Sequence, residues 1–347
     1  MLTSSSPLSA RPAPRTGRRF AIPRWVILLM SDRKAAVGLF ILAFFVLTSI
    51  FAPMIWTGNP MRGDWTAPPQ VGPSSAHWLG TDSINNDIFL QVINGGRDTL
   101  YVGFAVAVVC TLVSVGVGLS AGYFGGWVDE VLGMITNVFL VMPGLPLCIV
   151  LASYIKSPKV ITLPIFGLGN WDLPIPQWMA GEMPVVGVLS FISWAWGARV
   201  LRSQALSLRS KDFVMAAVVS GESAWRIVWF EMLPNMISLV ASSFIGTCSY
   251  AIITSVALKF LGLGSNGIVS WGTTLYYAQN GSAIENGAWW TYIPAGMCIA
   301  LTVTALTLIN FGVDAISNPR LRVDKMKTQP KPSAATSAKN VSIAGAS

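Results

Sequence analysis

Charged side chains are scarce in this chain of 347 residues, since only 11% are Asp, Glu, Lys or Arg whereas 53% are hydrophobic. An ordinary soluble domain carries about 25% charged residues. A soluble fold of this length would therefore lack the polar side chains needed to cover its surface. Apolar residues in such excess must face lipid, and the composition predicts an integral membrane protein.

Cysteine and histidine are rare as well. The four cysteines lie in separate apolar runs, and His77 is the single histidine. No Cys-x-x-Cys pair or Cys/His cluster has the spacing of a zinc or redox site. The cysteines, Cys110, Cys148, Cys248 and Cys298, are expected to be buried apolar residues. His77 is expected to form hydrogen bonds within a loop.

Motifs for nucleotide binding and for hydrolysis are also missing from the sequence. No Gly-x-x-x-x-Gly-Lys-Ser/Thr segment could cradle ATP phosphates, and no HExxH occurs. The chain is therefore expected not to be an enzyme, with no catalytic residues, cofactor or metal of its own.

The net charge of +8 does not predict a nucleic-acid partner. The basic residues cluster at the two ends and in one central loop beside apolar runs, and they form no basic face with interleaved aromatic residues. This distribution is typical of membrane loops. The Ser-, Pro- and Arg-rich residues 1–24 extend too far before the first apolar run for a signal peptide. A retained first membrane helix is expected.

Six stretches are apolar enough to cross a bilayer, which takes about 20 residues. They are Val37–Trp56, Thr99–Val128, Val131–Ile155, Met183–Leu206, Met232–Leu258 and Asn286–Val313. The fourth includes Arg199 and Arg202, whose long side chains can reach the lipid headgroups. Phe260–Ile284 also lacks charge, but its many Gly, Ser and Asn residues favour an ordered external loop or a re-entrant segment. The expected fold is all-α with six transmembrane helices.

The distribution of Lys and Arg predicts the orientation of these spans. Eighteen of the 23 basic residues fall on the side that holds both termini and the loop between spans four and five, so this side is expected to be cytoplasmic. The predicted organisation is a basic tail at 1–34, a six-span domain at 35–322 and a disordered cytoplasmic tail at 323–347. External loops are expected at about 57–97, 156–182 and 259–288.

The cytoplasmic loop at about 207–234 has the pattern of two short helices separated by a glycine. One stripe with helical spacing consists of Phe213, Ala216, Ala217 and Ser220. A second consists of Ala224, Ile227, Val228 and Glu231. Gly221 can adopt the positive φ that ends a helix, and Pro234 is expected to stop or kink the second helix before span five. The pattern alone fits both an interfacial hairpin and a docking site for a partner.

The same loop resembles the EAA loop of ABC importer permeases, whose pattern is Glu-Ala-Ala, three residues, Gly, nine residues and Ile-x-Leu-Pro. Here the segments are Met215-Ala216-Ala217, Gly221 and Glu231-Met232-Leu233-Pro234 at the same spacing. Met215 replaces the usual Glu, and Glu231 replaces an apolar residue. The resemblance implies coupling to an ATPase through Asp212, Met215, Ala216, Ala217, Gly221, Glu222, Leu233 and Pro234.

Further motifs resemble the oligopeptide/dipeptide/nickel permease branch, in the subunit with the longer N-terminus. They include His77–Asp82, Ala121–Asp129, Phe260–Gly264 and Asn318-Pro319-Arg320, although Asn85-Asn86 stands where the branch has Gly-Arg. The resemblance extends from about Ser31 to Arg322. It implies a permease in a prokaryotic plasma (inner) membrane, with a sister permease, two ATPase subunits that hold ATP and Mg, and an extracytoplasmic solute-binding protein.

The cargo stays open between oligopeptides, oligosaccharides and nickel, which this branch carries. The 14 Trp residues could stack on sugars, but most lie near predicted membrane interfaces, and potential metal ligands are few. Oligopeptides are therefore the expected cargo.

Two other classes compete with the importer. A stand-alone secondary transporter or channel would need ionisable residues inside the membrane, and the charges here are expected at span ends or in loops. A membrane scaffold without transport is the other class. Co-purification with an ATPase would distinguish the importer from both.

Overall fold

The computed structural model describes residues 32–56, 58–63, 68–154, 160–165, 169–174, 177–264 and 267–317. The predictions for residues 1–31, for Asn318-Pro319-Arg320 and for the tail at 323–347 lie outside these ranges.

Within the described residues, the chain forms ten α-helices and one β-hairpin. The helices are α1 (Arg33–Ile55), α2 (Ile88–Phe124), α3 (Gly126–Val141), α4 (Gly144–Tyr154), α5 (Gln177–Arg209), α6 (Asp212–Val219), α7 (Ala224–Arg226), α8 (Leu233–Phe260), α9 (Trp271–Asn280) and α10 (Ile293–Ser317). A π-helical turn, Ile227–Met232, joins α7 to α8, and a 3₁₀ turn, Trp289–Thr291, precedes α10.

The hairpin lies between α4 and α5, where the sequence predicted a loop of turns and extended pieces. Its strands β1 (Val160–Ile165) and β2 (Gly169–Pro174) are antiparallel, with Val160 opposite Pro174. The candidate membrane helices are α-helical as predicted, and this connection adds the β structure that an all-α fold class omits.

In the part of the chain that the structure describes, five helical segments are long and apolar enough to cross a membrane, and α3 with α4 makes a sixth if the pair counts as one broken span. The predicted third span, Val131–Ile155, is not one straight helix, because α3 and α4 meet at a bend of 84°. Met142 has ψ 134°, the extended conformation favoured before a proline. Pro143 also lacks the N–H that would continue the helix.

Helix α2 begins eleven residues before the predicted start at Thr99. The carboxylate of Asp87 accepts from the N–H of Leu90 at 3.1 Å and caps the helix. Arg97 and Asp98 separate the first turns of this helix from the charge-free stretch that begins at Thr99. The helix ends at Phe124, four residues before the predicted Val128, because Gly125 has φ +65°.

Helix α2 packs closely along α5. A Cβ added to Gly118 would lie 2.7 Å from the carbonyl oxygen of Ala198, and one on Gly122 would lie 2.5 Å from Cβ of Ala205. These two glycines therefore let the backbones approach, as small residues do between membrane helices. The other side of α2 packs on α8, with Val106, Ala251 and Leu258 in one buried cluster.

The loop at 68–87 folds against the segment after α9. Gln70 Nε2 donates to the Gly281 carbonyl at 2.6 Å, and Trp290 Nε1 donates to the Thr81 carbonyl at 3.3 Å. Asp82 is buried and accepts from the side chain of Gln91 at 2.7 Å. His77 Nδ1 lies 2.7 Å from Asp87 Oδ2, which confirms its predicted role in a loop hydrogen bond.

Helix α9 occupies the segment at 260–284 that was predicted as a loop or re-entrant piece. Ser270 caps it in a capping box with Thr273. Trp271 is buried beside Phe45 of α1, with ring centroids 5.5 Å apart. The glycine-rich segment is therefore an ordered structure that contains a short helix.

Candidate coupling site

Helix α6 is held against the ends of the long helices by one buried valine. Val214 is 1% exposed and packs among Leu119 of α2, Leu201 of α5, Ile227 and Met236. Residues of three long helical segments therefore belong to the same buried cluster as Val214. A displacement of α6 must move this cluster as well, because packed interiors transmit strain.

The turn after α6 is a Schellman motif. The N–H of Gly221 donates to the Val218 carbonyl at 3.0 Å, and the N–H of Glu222 donates to the Ala217 carbonyl at 3.2 Å. Gly221 has φ +79°, which confirms the predicted helix stop. A Cβ at this position would meet no atom within 4 Å, so glycine is required for its backbone conformation rather than for space.

The outward face of α6 is apolar. Met215 is 56% exposed and Val219 is 86% exposed, and Phe213, Ala216 and Val218 are exposed beside them. We call these five residues the α6 patch. A contiguous exposed apolar surface of this kind marks a contact with another protein or with lipid.

The two predicted stripes differ in what they face. Three of the four residues in the first stripe are exposed, and Ala217 is half-buried. The second stripe is not a second docking face, because Ile227 and Val228 are buried in the cluster around Val214. The large apolar side chains exposed there are instead Trp225, Trp229 and Phe230.

Of the two outcomes predicted for Pro234, a stop or a kink, the stop does not occur. The chain is helical from Ala224 to Phe260 and forms a single candidate span. A π-helical turn precedes Pro234, which has no N–H to donate. In this turn the N–H of Leu233 donates to the Val228 carbonyl, five residues earlier. Asn235 Nδ2 donates to the Glu231 carbonyl at 2.7 Å. The segment from Ala224 to Phe260 is therefore one continuous helix with a local widening.

The predicted coupling residues fall into two groups. Six lie in the segment from α6 through its Schellman turn: Asp212, Met215, Ala216, Ala217, Gly221 and Glu222. Asp212 is in the first turn of α6, where the helix dipole favours a carboxylate. Leu233 and Pro234 begin α8, with Leu233 packed against the cluster around Val214 and Pro234 exposed. The α7 and π-helical segment joins the two groups.

Sequence reasoning missed a buried ionic cluster at the other end of α8. Lys259 Nζ bonds Asp98 Oδ2 of α2 and lies 2.8 Å from Glu182 Oε2 of α5. Each of the three side chains is at most 5% exposed. We call these three residues the ionic cluster. Glu182 and Lys259 lie near the ends of α5 and α8, and Asp98 lies beside them within the long helix α2. The expectation that every charge lies at a span end or in a loop stays a prediction.

Comparison with known proteins places the chain in a transport family. The sequence profile described as "Binding-protein-dependent transport system inner membrane component" matches residues 114–323. A second profile, described as "N-terminal TM domain of oligopeptide transport permease C", matches residues 26–70. The first match contains α5 to α10 and the whole candidate coupling site.

Individual relatives cover most of the chain. The dipeptide transport system permease protein DppC of Alkalihalophilus pseudofirmus is 29% identical over 85% of this chain and 88% of its own length. The oligopeptide transport system permease protein OppC of Bacillus subtilis is 29% identical over 84% and 87%. The glutathione transport system permease protein GsiD of Pectobacterium atrosepticum is 31% identical over 72% and 75%. The chain therefore belongs to the binding-protein-dependent transport system inner membrane components, the permease subunits of ABC importers.

Proposed function

We propose that this chain forms half of the translocation pathway of an ATP-driven importer of oligopeptides, and that α6 couples it to an ATPase subunit. The observation that carries the proposal is the continuous helix from Ala224 to Phe260. It joins the exposed α6 turn directly to a candidate membrane span. A partner that moves α6 would therefore move the span.

The proposed orientation places α6 and both termini in the cytoplasm. The excess of Lys and Arg on that side supports this orientation. Counting α3 and α4 as one broken span gives an even number of crossings, which agrees with termini on the same side. The loop at 68–87 and helix α9 then lie outside, where a solute-binding protein would dock.

The proposed coupling begins at the α6 patch, which docks in a cleft of the ATPase subunit. ATP binding closes the two ATPase subunits and displaces α6. The Val214 cluster and the helix from Ala224 onward carry the displacement into the membrane. The pathway then opens outward to receive cargo, and ATP hydrolysis resets it.

The proposed complex contains this chain, a sister permease, two ATPase subunits and one extracytoplasmic binding protein in a prokaryotic plasma membrane. Six membrane helices offer only part of a pathway wide enough for a peptide, which is the reason for a second permease. ATP and Mg would bind the ATPase subunits, since the sequence of this chain contains no P-loop.

Oligopeptides are the proposed cargo because the compared relatives carry the names of dipeptide, oligopeptide and glutathione permeases. The ionic cluster is a feature that favours a secondary transporter, which needs ionisable residues in the membrane. Its charges are paired across three helices, however, and this arrangement also serves to hold helices together.

Reconstitution in liposomes tests the proposal. The chain is assembled with the permease, ATPase and binding protein encoded beside it, and labelled di- to pentapeptides, cello-oligosaccharides and Ni²⁺ are offered in parallel. We expect peptide uptake that requires ATP. Uptake of sugar or nickel instead would overturn the cargo, and ATP-independent flux through this chain alone would overturn the importer.

A further inference from the structure

An open groove runs along α3 toward the bend between α3 and α4. Its volume is about 910 Å³, and its lining includes Glu130, Met134, Asn137 and Val141 of α3 together with Pro143. At the end near Glu130, Arg202 of α5 holds Asp129 through two hydrogen bonds, one of them 2.7 Å between Nη2 and Oδ2. This ion pair fixes α3 to α5 beside the groove.

The groove follows one face of α3. The lining residues Glu130, Gly133, Met134, Asn137, Val138 and Val141 recur at intervals of three and four, which places them on a single helical stripe. The opposite face is packed: Thr136 is buried, and the ring of Phe139 lies 5.0 Å from that of Phe191 and 5.2 Å from that of Trp194 of α5. The stripe is therefore the unpartnered side of a fixed helix.

Polar side chains on this stripe argue against lipid as its neighbour. Asn137 is exposed, and its amide has no hydrogen-bond partner among the described residues. It lies about 16 Å along the axis from Gly126. With the turn at Gly126 at the cytoplasmic boundary, as in the proposed orientation, this distance corresponds to the middle of a hydrocarbon core about 30 Å thick. An unpaired amide at that depth would cost several kcal/mol against lipid. Water or a polar partner must face it.

The bend adds further polar groups beside the groove. The Phe139 carbonyl would accept from residue 143 in a continuous helix, but Pro143 has no N–H. The last carbonyls of α3 therefore lack their usual donors at the point where the helix turns by 84°. Broken helices at membrane depth occur where the backbone is buried in protein or lines a water-filled cavity.

From these observations we infer that the α3 groove is this subunit's wall of the translocation pathway, and that it binds the backbone amide groups of a peptide in transit. The inference rests on the proposed function and names the binding surface within it. The Asn137 side chain both donates and accepts hydrogen bonds, and the freed carbonyls accept them. Met134 and Val138 offer apolar surface to side chains of different shapes, and methionine adapts readily to such variety.

Thiol accessibility in the assembled complex tests the inference. The four native cysteines are replaced by alanine, and Asn137→Cys and Thr136→Cys are introduced separately. The two positions share one depth, but Thr136 faces α5. We expect a charged, membrane-impermeant methanethiosulfonate to modify Asn137→Cys at least tenfold faster than Thr136→Cys. We also expect the loaded binding protein with ATP and vanadate to change the Asn137→Cys rate at least threefold.

A second variant tests the contact with peptide. Asn137→Leu should lower peptide uptake about fivefold, the effect of one lost hydrogen bond, while Asn137→Gln retains most of the uptake. Equal uptake by both variants would overturn the peptide contact.

The inference and the proposed function fail in distinguishable ways. Modification of Asn137→Cys only by a membrane-soluble maleimide, or by neither reagent, would overturn the pathway wall even if the cysteine-free parent imports peptide. If the cysteine-free chain imports no peptide, the proposed cargo is overturned. The accessibility of Asn137→Cys would still decide whether the groove contains water.

Discussion

At the residue scale, the ionic cluster shows what sequence could not reveal. Lys259 and Asp98 are 161 positions apart, and no local pattern marks them as partners. Burial of a charge is tolerated only when it is paired and hydrogen-bonded. The cluster therefore joins α2, α5 and α8 at the ends opposite α6, and loss of one member should leave an uncompensated charge.

Removing the lysine should destabilise the chain. Lys259→Met leaves two buried carboxylates without a cation, and breaking such a pair costs about 3–5 kcal/mol. We expect a lower unfolding midpoint for the purified complex in detergent, followed by tryptophan fluorescence during heating. The matched control replaces all three charges, with Asp98→Asn, Glu182→Gln and Lys259→Met in one chain. This triple variant should recover most of the decrease in the unfolding midpoint. Equal midpoints for Lys259→Met and wild type would contradict the account.

The conformation of Gly221, unlike the ionic cluster, was predictable from the sequence. Its neighbours along the chain determine its conformation: α6 ends beside it, and both hydrogen bonds of its turn connect residues between Ala217 and Glu222. The burial of Ile227 and Val228 was not predictable, because a helical stripe does not say whether it faces a partner or the chain's own core. Local turns follow from sequence, whereas the choice of partner depends on tertiary packing.

At the element scale, apolar runs identified the spans but not their ends or breaks. Charge-free stretches located the centres of α1, α2, α5, α8 and α10. The start of α2 was missed because Arg97 and Asp98 separate its first turns from the charge-free stretch. The bend at Pro143 was missed because hydropathy does not register a missing backbone donor, although the proline itself is visible in the sequence.

The α6 patch should be protected by the partner ATPase. In a cysteine-free chain, Val218→Cys should react with a charged thiol reagent in the permease pair without ATPase. We expect the rate to fall at least tenfold once the ATPase subunits are added, because a docked surface excludes the reagent. Val214→Cys is the matched control and should stay unreactive in both states, since Val214 is 1% exposed. An unchanged rate at Val218→Cys would place the ATPase elsewhere.

At the scale of the whole molecule, composition alone predicted an integral membrane protein. The order of motifs gave the permease branch, and the comparisons confirm that family. Only the structure shows that the two ends of α8 have different surroundings. One end continues into the α6 turn, and the other end carries Lys259 in the ionic cluster. A movement received at α6 would therefore travel along one helix to a set of buried charges between three helices.

The coupling of ATP hydrolysis to uptake through Gly221 tests the central claim most directly. ATP hydrolysis and peptide uptake are measured in the same liposomes for wild type, Gly221→Val and Gly221→Asn. A β-branched residue at φ +79° is strained by about 1–2 kcal/mol, whereas Asn tolerates that region. We predict that Gly221→Val inserts in wild-type amounts but imports about tenfold less peptide per ATP hydrolysed, and that Gly221→Asn stays near wild type. Wild-type coupling in Gly221→Val would contradict the role of the α6 turn.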